Sequence, residues 1–383
     1  MAKNGLGLEL PRATIGVSRW RRFRASVDWP LIITMLLLCT LGMLNLYSAT
    51  RTMGHAAKFD KQVQWMIVGA IGFIVITVVD YRTLVRLAWI GLGFAVVMLL
   101  AARVFGHPDP SNHGYTYRWL NIGGMGIQPS ELATLMVIPV LARLFGDAEP
   151  ASYAPAYFAP RFAVLLIPIG IIAVQPDLGT AVLLTLVILT VGFLAMPNVW
   201  PMVYTTTGLL LAIPILWEKL HTYQKDRLLG FIDCNVAPTK NCWHTMQSIY
   251  AVGSGKIWGK GFLEGTQNRF GYVPENLTDF PFARWAEEWG FAGSVALLAI
   301  FGFLLIWTLN VALSARDRVG SVICVGVAAL TFWHVIVNVA MVLGLAPVVG
   351  VTLPFISYGG SSLVMFFLAM GLVANVSLRK HGY

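Results

Sequence analysis

The chain has 383 residues, of which 57% are apolar and only 12% charged, with a formal net charge of +9. A water-facing surface needs roughly a quarter of its residues charged, so a soluble globular domain is excluded and lipid is the solvent for much of the chain. Nucleic acid is not implied by the basic excess, because the cations are scattered between apolar stretches rather than gathered on one soluble face.

The first 28 residues form a polar arm carrying Lys3, Arg12, Arg19, Arg21, Arg22 and Arg24. Apolar runs then predict spanning helices over about 31–50, 64–80, 84–104, 130–146, 161–174, 178–196, 201–217, 282–313, 318–345 and 355–378. The longest approach what a helix needs to cross a hydrocarbon core of roughly 30 Å. They are solidly apolar instead of alternating with a period of two, which excludes a membrane β-barrel. The expected fold is therefore an all-α membrane protein of about ten transmembrane helices.

The basic arm places the N-terminus in the cytoplasm by the positive-inside rule, and ten crossings return Arg379 and Lys380 to the same side. Lysine and arginine are evenly split between the two sides until the stretch 218–281 is set aside, which is too long for the rule to apply. This stretch is a large extracytoplasmic loop between the seventh and eighth helices, rich in Gly, Lys, Asn and aromatic residues. No small-residue cleavage site follows the first span, which is read as a retained helix instead of a signal peptide. The organisation is a cytoplasmic arm, 1–28, and a single polytopic membrane domain, 29–383, without a visible internal repeat.

Of the four cysteines, Cys39 and Cys324 fall inside helices, whereas Cys234 and Cys242 share the outer loop, where an oxidising compartment permits a disulfide between them. None has the spacing of a zinc site, and the sequence assigns no metal ligands.

Four polar strings fall on the outer face of this topology. Arg118-Trp119-Leu120-Asn121 is followed by Gln128-Pro129-Ser130-Glu131, where proline and an early glutamate suit a helix start. Gln175-Pro176-Asp177 interrupts apolar sequence, and Asp177 suits an N-cap. Gly253-Ser254-Gly255-Lys256, Gly259-Lys260-Gly261 and Gly265-Thr266-Gln267 follow Gln247-Ser248 in the long loop. Glycine lets backbone amides approach a phosphate and lysine supplies countercharge, but the spacing is not that of a Walker A loop. Last, Glu275-Asn276-Leu277-Thr278-Asp279-Phe280-Pro281 leads into a helix that Thr278 or Asp279 can cap. That helix carries Arg284, Glu287 and Glu288 in its first turns, where charge is costly and marks a pathway or a site. Arg284 and Glu288 are spaced to pair. A carboxylate beside cationic, glycine-rich loops at an outer membrane surface suits a lipid-borne phosphate substrate, with the carboxylate as general base and cations holding a pyrophosphate leaving group.

The strings RWLNIG and QPSELA (118–133), QPDLGTA (175–181), QSIYAVGSG (247–255), GKGFLEGTQ (259–267), TDFPFARWAEEWGFAG (278–293) and PFISYGGSSL (354–363) resemble the shape, elongation, division and sporulation family of bacterial cell-wall polymerases. The resemblance covers nearly all of the chain after the arm. QPDLGTA, GTQ and PVVGV (347–351) are closer to its elongation branch than to its division branch. The resemblance implies a ten-helix peptidoglycan glycosyltransferase that polymerises lipid II at the outer face of the cytoplasmic membrane. It also implies a class B penicillin-binding protein as transpeptidase partner, and a divalent cation, magnesium or manganese. Asp279 matches the family's essential aspartate, implied as the catalytic base or as a ligand of that ion. Trp119, Glu131, Asp177, Arg227, Gln247, Lys260, Glu275 and Glu288 are the implied substrate-binding residues. Two positions depart from the family pattern: Thr134 stands where a lysine is common and Leu277 where a histidine often precedes TDF.

A lipid II flippase is the competing reading. It predicts polar groups through the depth of the helices, of which Lys61, Asn310, His334 and Asn338 are the candidates, whereas the strings above gather at one face.

Overall fold

The computed structural model describes residues 27–53, 56–108, 117–122, 125–146, 155–196, 199–220, 222–232, 240–269 and 277–380. Its helices are α1 (Trp29–Met53), α2 (Ala56–Val78), α3 (Tyr81–Arg86), α4 (Ala88–Phe105), α5 (Pro129–Gly146), α6 (Pro155–Val174) and α7 (Leu178–Ala195). They continue as α8 (Trp200–Lys219), α9 (Thr222–Ile232), α10 (Lys240–Ser254), α11 (Thr266–Arg269), α12 (Pro281–Leu313), α13 (Arg318–Val342) and α14 (Gly360–Arg379). Among the described residues, eight are long and apolar enough to cross a membrane: α1, α2, α4, α5, α7, α12, α13 and α14. Shorter apolar segments, Phe162–Val174 and Trp200–Ile215, stand at the remaining two expected positions.

The helices pack around a large hydrophobic core and expose further apolar side chains outward. α5 and α14 are buried over most of their length, while Val78, Val104, Leu211 and Ile306 are 70% exposed or more and face lipid. Lipid gives apolar side chains no reason to leave it, so helices associate through close packing, often at small residues. Gly69 and Gly72 on α2 admit Phe367 and Leu368 of α14, and Gly371 lies against Phe73 and Ile76 in return.

Several features differ from the sequence expectation. The expected helix 84–104 is two, α3 and α4, joined at Leu87. The expected helix 355–378 begins only at Gly360, because Phe355 sits at φ 63 and the chain turns there. Thr278 and Asp279 do not occupy the cap of α12: the cap position is Phe280, and Pro281 at the first helical position has no N–H to satisfy. The long outer segment is largely helical (α9, α10 and α11) instead of an open loop.

The all-α expectation also missed a small antiparallel sheet ahead of α5. Strands β1 (His107–Pro108), β2 (Tyr117–Ile122) and β3 (Met125–Ile127) are ordered β1-β2-β3, with His107 opposite Trp119 and Asn121 opposite Gly126. It holds the RWLNIG string over the start of α5.

Candidate active site

The polar strings meet through the segment 347–358 between α13 and α14. Val349 lies against Gly179 at the start of α7, where a Cβ would strike the Val349 carbonyl. Gly350, at φ 74, lies against Asp279, and a Cβ there would stand 3.4 Å from Asp279 Oδ2. The amide of Asn338 on α13 donates to the Val351 carbonyl (2.7 Å) and to the Asp279 carbonyl (2.9 Å). Thr352 shares a hydrogen bond with Ser362 (2.7 Å), its carbonyl is 3.0 Å from His334 Nδ1, and the Tyr358 N–H donates to the Leu277 carbonyl (2.8 Å).

Asp177 is almost fully buried and centres one lobe of the site. It caps α7 by accepting from the Thr180 N–H, accepts from the Gln128 amide (3.0 Å) and the Ser130 hydroxyl (3.4 Å), and pairs with Arg118 (3.4 Å). Capping and site geometry therefore coexist at this residue. Arg118, Asp177, Gln224 and Arg227 line one small pocket with Pro347 and Val348, so Arg227 on α9 reaches the Asp177 lobe. Glu131, in the first turn of α5, lies beside the hydroxyls of Ser361 and Ser362 and within electrostatic reach of Asp177. No cation stands within ion-pair distance of Glu131 among the described residues, in keeping with Thr134 where a lysine is common. Trp119 is half-buried on β2, with its ring over Gly126.

The second lobe is the glycine-rich segment 255–267, stitched to a break in α12 at Gly290 (φ 67, ψ −163). Lys260 and Gly261 N–H groups donate to the Glu287 and Glu288 carbonyls, while Phe291 and Ala292 N–H groups donate to Lys256 and Ile257. Glu287, fully buried, accepts from Lys260 Nζ (2.8 Å) and the Gln267 N–H (2.9 Å). Lys260 also donates to Thr266 (2.7 Å), so two of its three donors stay within this clasp. The expected Arg284–Glu288 pair is present at 3.7 Å, both residues buried, and the Ser48 hydroxyl donates to Glu288. Gln247 is buried on α10.

Glu275 and Cys234 lie outside the described residues. Cys242 is disulfide-bonded, and Cys39 and Cys324 are free and buried. Among the described residues no three His, Cys, Asp or Glu side chains are grouped to hold a metal ion. Of the possible mid-membrane path, His334 and Asn338 are buried and bonded to backbone carbonyls. The FISYGGSS string (355–362) runs into the start of α14. Its serines also reach the site, Ser361 accepting from the Gln128 N–H (3.2 Å) and Ser362 meeting Thr352, contacts that no local pattern signals.

The FTSW_RODA_SPOVE family model, which describes cell cycle proteins, matches residues 28–382. The chain is 33% identical over 360 residues to peptidoglycan glycosyltransferase MrdB of Escherichia coli (strain K12), covering 93% of this chain and 95% of that one. It is 33% identical over 373 residues to stage V sporulation protein E of Bacillus subtilis (strain 168), covering 92% and 98%. Among solved structures it is similar to a chain of a peptidoglycan synthase complex that coordinates polymerization and crosslinking, with TM-score 0.78, 27% identity and coverage of 93% and 99%. It is also similar to the rod shape determining protein RodA of Thermus thermophilus, with TM-score 0.69, 25% identity and coverage of 93% and 98%.

Proposed function

The chain belongs to the FTSW_RODA_SPOVE family and is a multi-pass bacterial membrane protein, and we propose that it is a peptidoglycan glycosyltransferase that polymerises lipid II during cell elongation, with Asp279 as its base. Likeness to peptidoglycan glycosyltransferase MrdB over 93% of the chain supports the activity. What supports Asp279 is its setting: half-buried, against the backbone of Gly350, in the turn that the two polar lobes flank.

In this reading Asp279 takes the proton of the acceptor sugar's hydroxyl as that oxygen attacks the anomeric carbon of the donor, and the bond to the lipid pyrophosphate breaks. Arg118 and Arg227 face the leaving pyrophosphate from the Asp177 lobe, where fixed positive charge stabilises the charge that develops. Glu131, Trp119 and Gln247 shape the sugar-binding cavity. Lys260, with Glu287, and Glu288, with Arg284 and Ser48, hold the glycine-rich segment that closes its far side. Glu275 belongs to the same string and is assigned to substrate binding with it.

A single carboxylate with substrate phosphate oxygens is a donor set that suits magnesium or manganese better than an all-protein cage. In the alternative role that the family resemblance implies, ligand instead of base, Asp279 would hold such a cation, which would neutralise the charge departing on the pyrophosphate. The active face is the outer one, and the partner is a class B penicillin-binding protein, supported by likeness to a chain of a synthase complex. The strings QPDLGTA and GTQ favour elongation over division.

The test is complementation of a rod-shaped bacterium depleted of its own elongation polymerase. Wild type restores rods, whereas Asp279→Ala, at matched membrane abundance, leaves round cells; rods with Asp279→Ala would refute the assignment.

A further inference from the structure

We propose that Asn338 is a positioning residue for the glycosyl transfer, holding the backbone of Asp279 to that of Val351 so that the base keeps one orientation in the site. The inference rests on Asp279 being the base, and adds a residue 59 positions away that no local pattern connects to it.

Asn338 lies on α13, fully buried between the Asp279 turn and the segment 347–358. Its Nδ2 donates to Asp279 O (2.9 Å) and to Val351 O (2.7 Å), using both amide hydrogens on two segments that have no helix or strand of their own to hold them. Both neighbours are carbonyls, so the amide nitrogen must face them and the side-chain orientation is dictated by chemistry. Its Oδ1 is buried with no hydrogen-bond partner among the described residues. An apolar side chain of similar size would leave no such orphan, so interior packing alone does not account for asparagine here. What the amide supplies is the double donation.

The bond acts on the residue whose carboxylate meets Gly350. Asp279 O and Val351 O are tied to the same nitrogen, and Asp279 Oδ2 stands beside Gly350, the residue preceding Val351. Fixing the two backbones relative to each other therefore fixes where the carboxylate stands against Gly350. The Tyr358 N–H to Leu277 carbonyl bond (2.8 Å) secures the other end of the turn, two residues before Asp279. A base displaced by about 1 Å loses on the order of a hundredfold in rate, since proximity and direction both decay.

The test compares lipid II polymerisation by the full chain in complex with its penicillin-binding partner for wild type, Asp279→Asn, Asn338→Ala, Asn338→Ser and Gly350→Ala. Asn338→Ala should lower kcat tenfold or more while KM for lipid II changes less than threefold. Asn338→Ser, which keeps one donor, should recover part of that loss. Gly350→Ala tests the same frame from the other side, and should lower kcat with the same preference over KM. Melting temperature in detergent separates these effects from unfolding, and where Asn338→Ala does not fold, the serine and Gly350 variants decide. If Asn338→Ala, or failing it Asn338→Ser and Gly350→Ala, turns over within twofold of wild type while Asp279→Asn is inactive, the positioning role is wrong and the base assignment stands. If Asp279→Asn is itself active, the base assignment falls and this inference with it.

Discussion

Lys260 and Glu287 stand 2.8 Å apart across 27 residues, with the carboxylate fully buried and the ammonium half-buried within a glycine-rich segment. The pair joins that segment to the first turns of α12, just before the helix breaks at Gly290. Removing one partner of a buried pair is costly because it strands the other charge, by about 3–5 kcal/mol where both are fully buried. Lys260 retains 26% of its surface, so solvent screens part of that loss.

Lys260→Met should therefore destabilise the protein by about 1–3 kcal/mol, and Glu287→Gln by less, since the amide can still accept from the Gln267 N–H. Thermal melting of the purified variants checks the order. A Lys260→Met protein as stable as wild type, yet inactive, would show that the ammonium meets substrate and does not serve the clasp.

Gly290 and Gly259 pack backbone to backbone, both at positive φ (67 and 81). A Cβ on Gly290 would meet the Gly259 nitrogen and lie 2.6 Å from the Ile257 carbonyl. Gly290→Ala should cost more than the ~1 kcal/mol of an ordinary left-handed strain, because neither neighbour is a side chain that can move aside. Gly302, further along α12, has nothing within 4 Å of a built Cβ, so Gly302→Ala should be neutral or slightly stabilising. Melting temperatures of the two variants decide.

At the other end of the bundle Asp317 caps α13 through the Gly320 N–H (2.8 Å) and binds Arg82 (2.7 Å) and Tyr81 (2.9 Å). Burial alone would raise its carboxyl, but the bonds from Gly320, Arg82 and Tyr81 outweigh it and hold the pKa below the usual carboxylate range. A group whose folded pKa is depressed stabilises above its unfolded pKa, and that stability is lost as pH falls through the folded value. Asp317→Asn should therefore lower stability at pH 7 by about 0.5–1 kcal/mol and flatten the decline below about pH 4. Melting curves across that window measure it; identical pH profiles for the two proteins would contradict the assignment.

Cys242 is disulfide-bonded while Cys39 and Cys324 are free. With Cys234 as its partner, the unfolded, unreduced chain should show two thiols to a thiol reagent and the reduced chain four. Four before reduction would remove the cross-link.

Features set by composition or by near neighbours were legible in the sequence. Spans announce themselves by length and apolarity; Asp177 as a cap reaches three residues to Thr180, and Arg284 meets Glu288 one turn on. The start of α14 was misplaced because Phe355 and Ile356 extend an apolar run, and composition does not register a phenylalanine at positive φ. The β2 strand was missed because its pairing partners are strands of two and three residues, too short to show alternation. The site is assembled by contacts far apart in the chain: Lys260 with Glu287, Asn338 with Asp279, and Ser48 with Glu288 across 240 residues. Only folding brings these together, so a pattern read along the chain lists the residues without their pairings.

The most direct measurement is polymerisation of labelled lipid II by purified wild-type and Asp279→Asn protein, each with magnesium or manganese and a penicillin-binding partner whose catalytic serine is replaced. The account predicts glycan polymer from wild type and none from the variant at equal melting temperature. Polymer from Asp279→Asn at the wild-type rate would contradict the role of Asp279, and no polymer from either, with lipid II crossing liposome membranes, would make the chain a flippase instead.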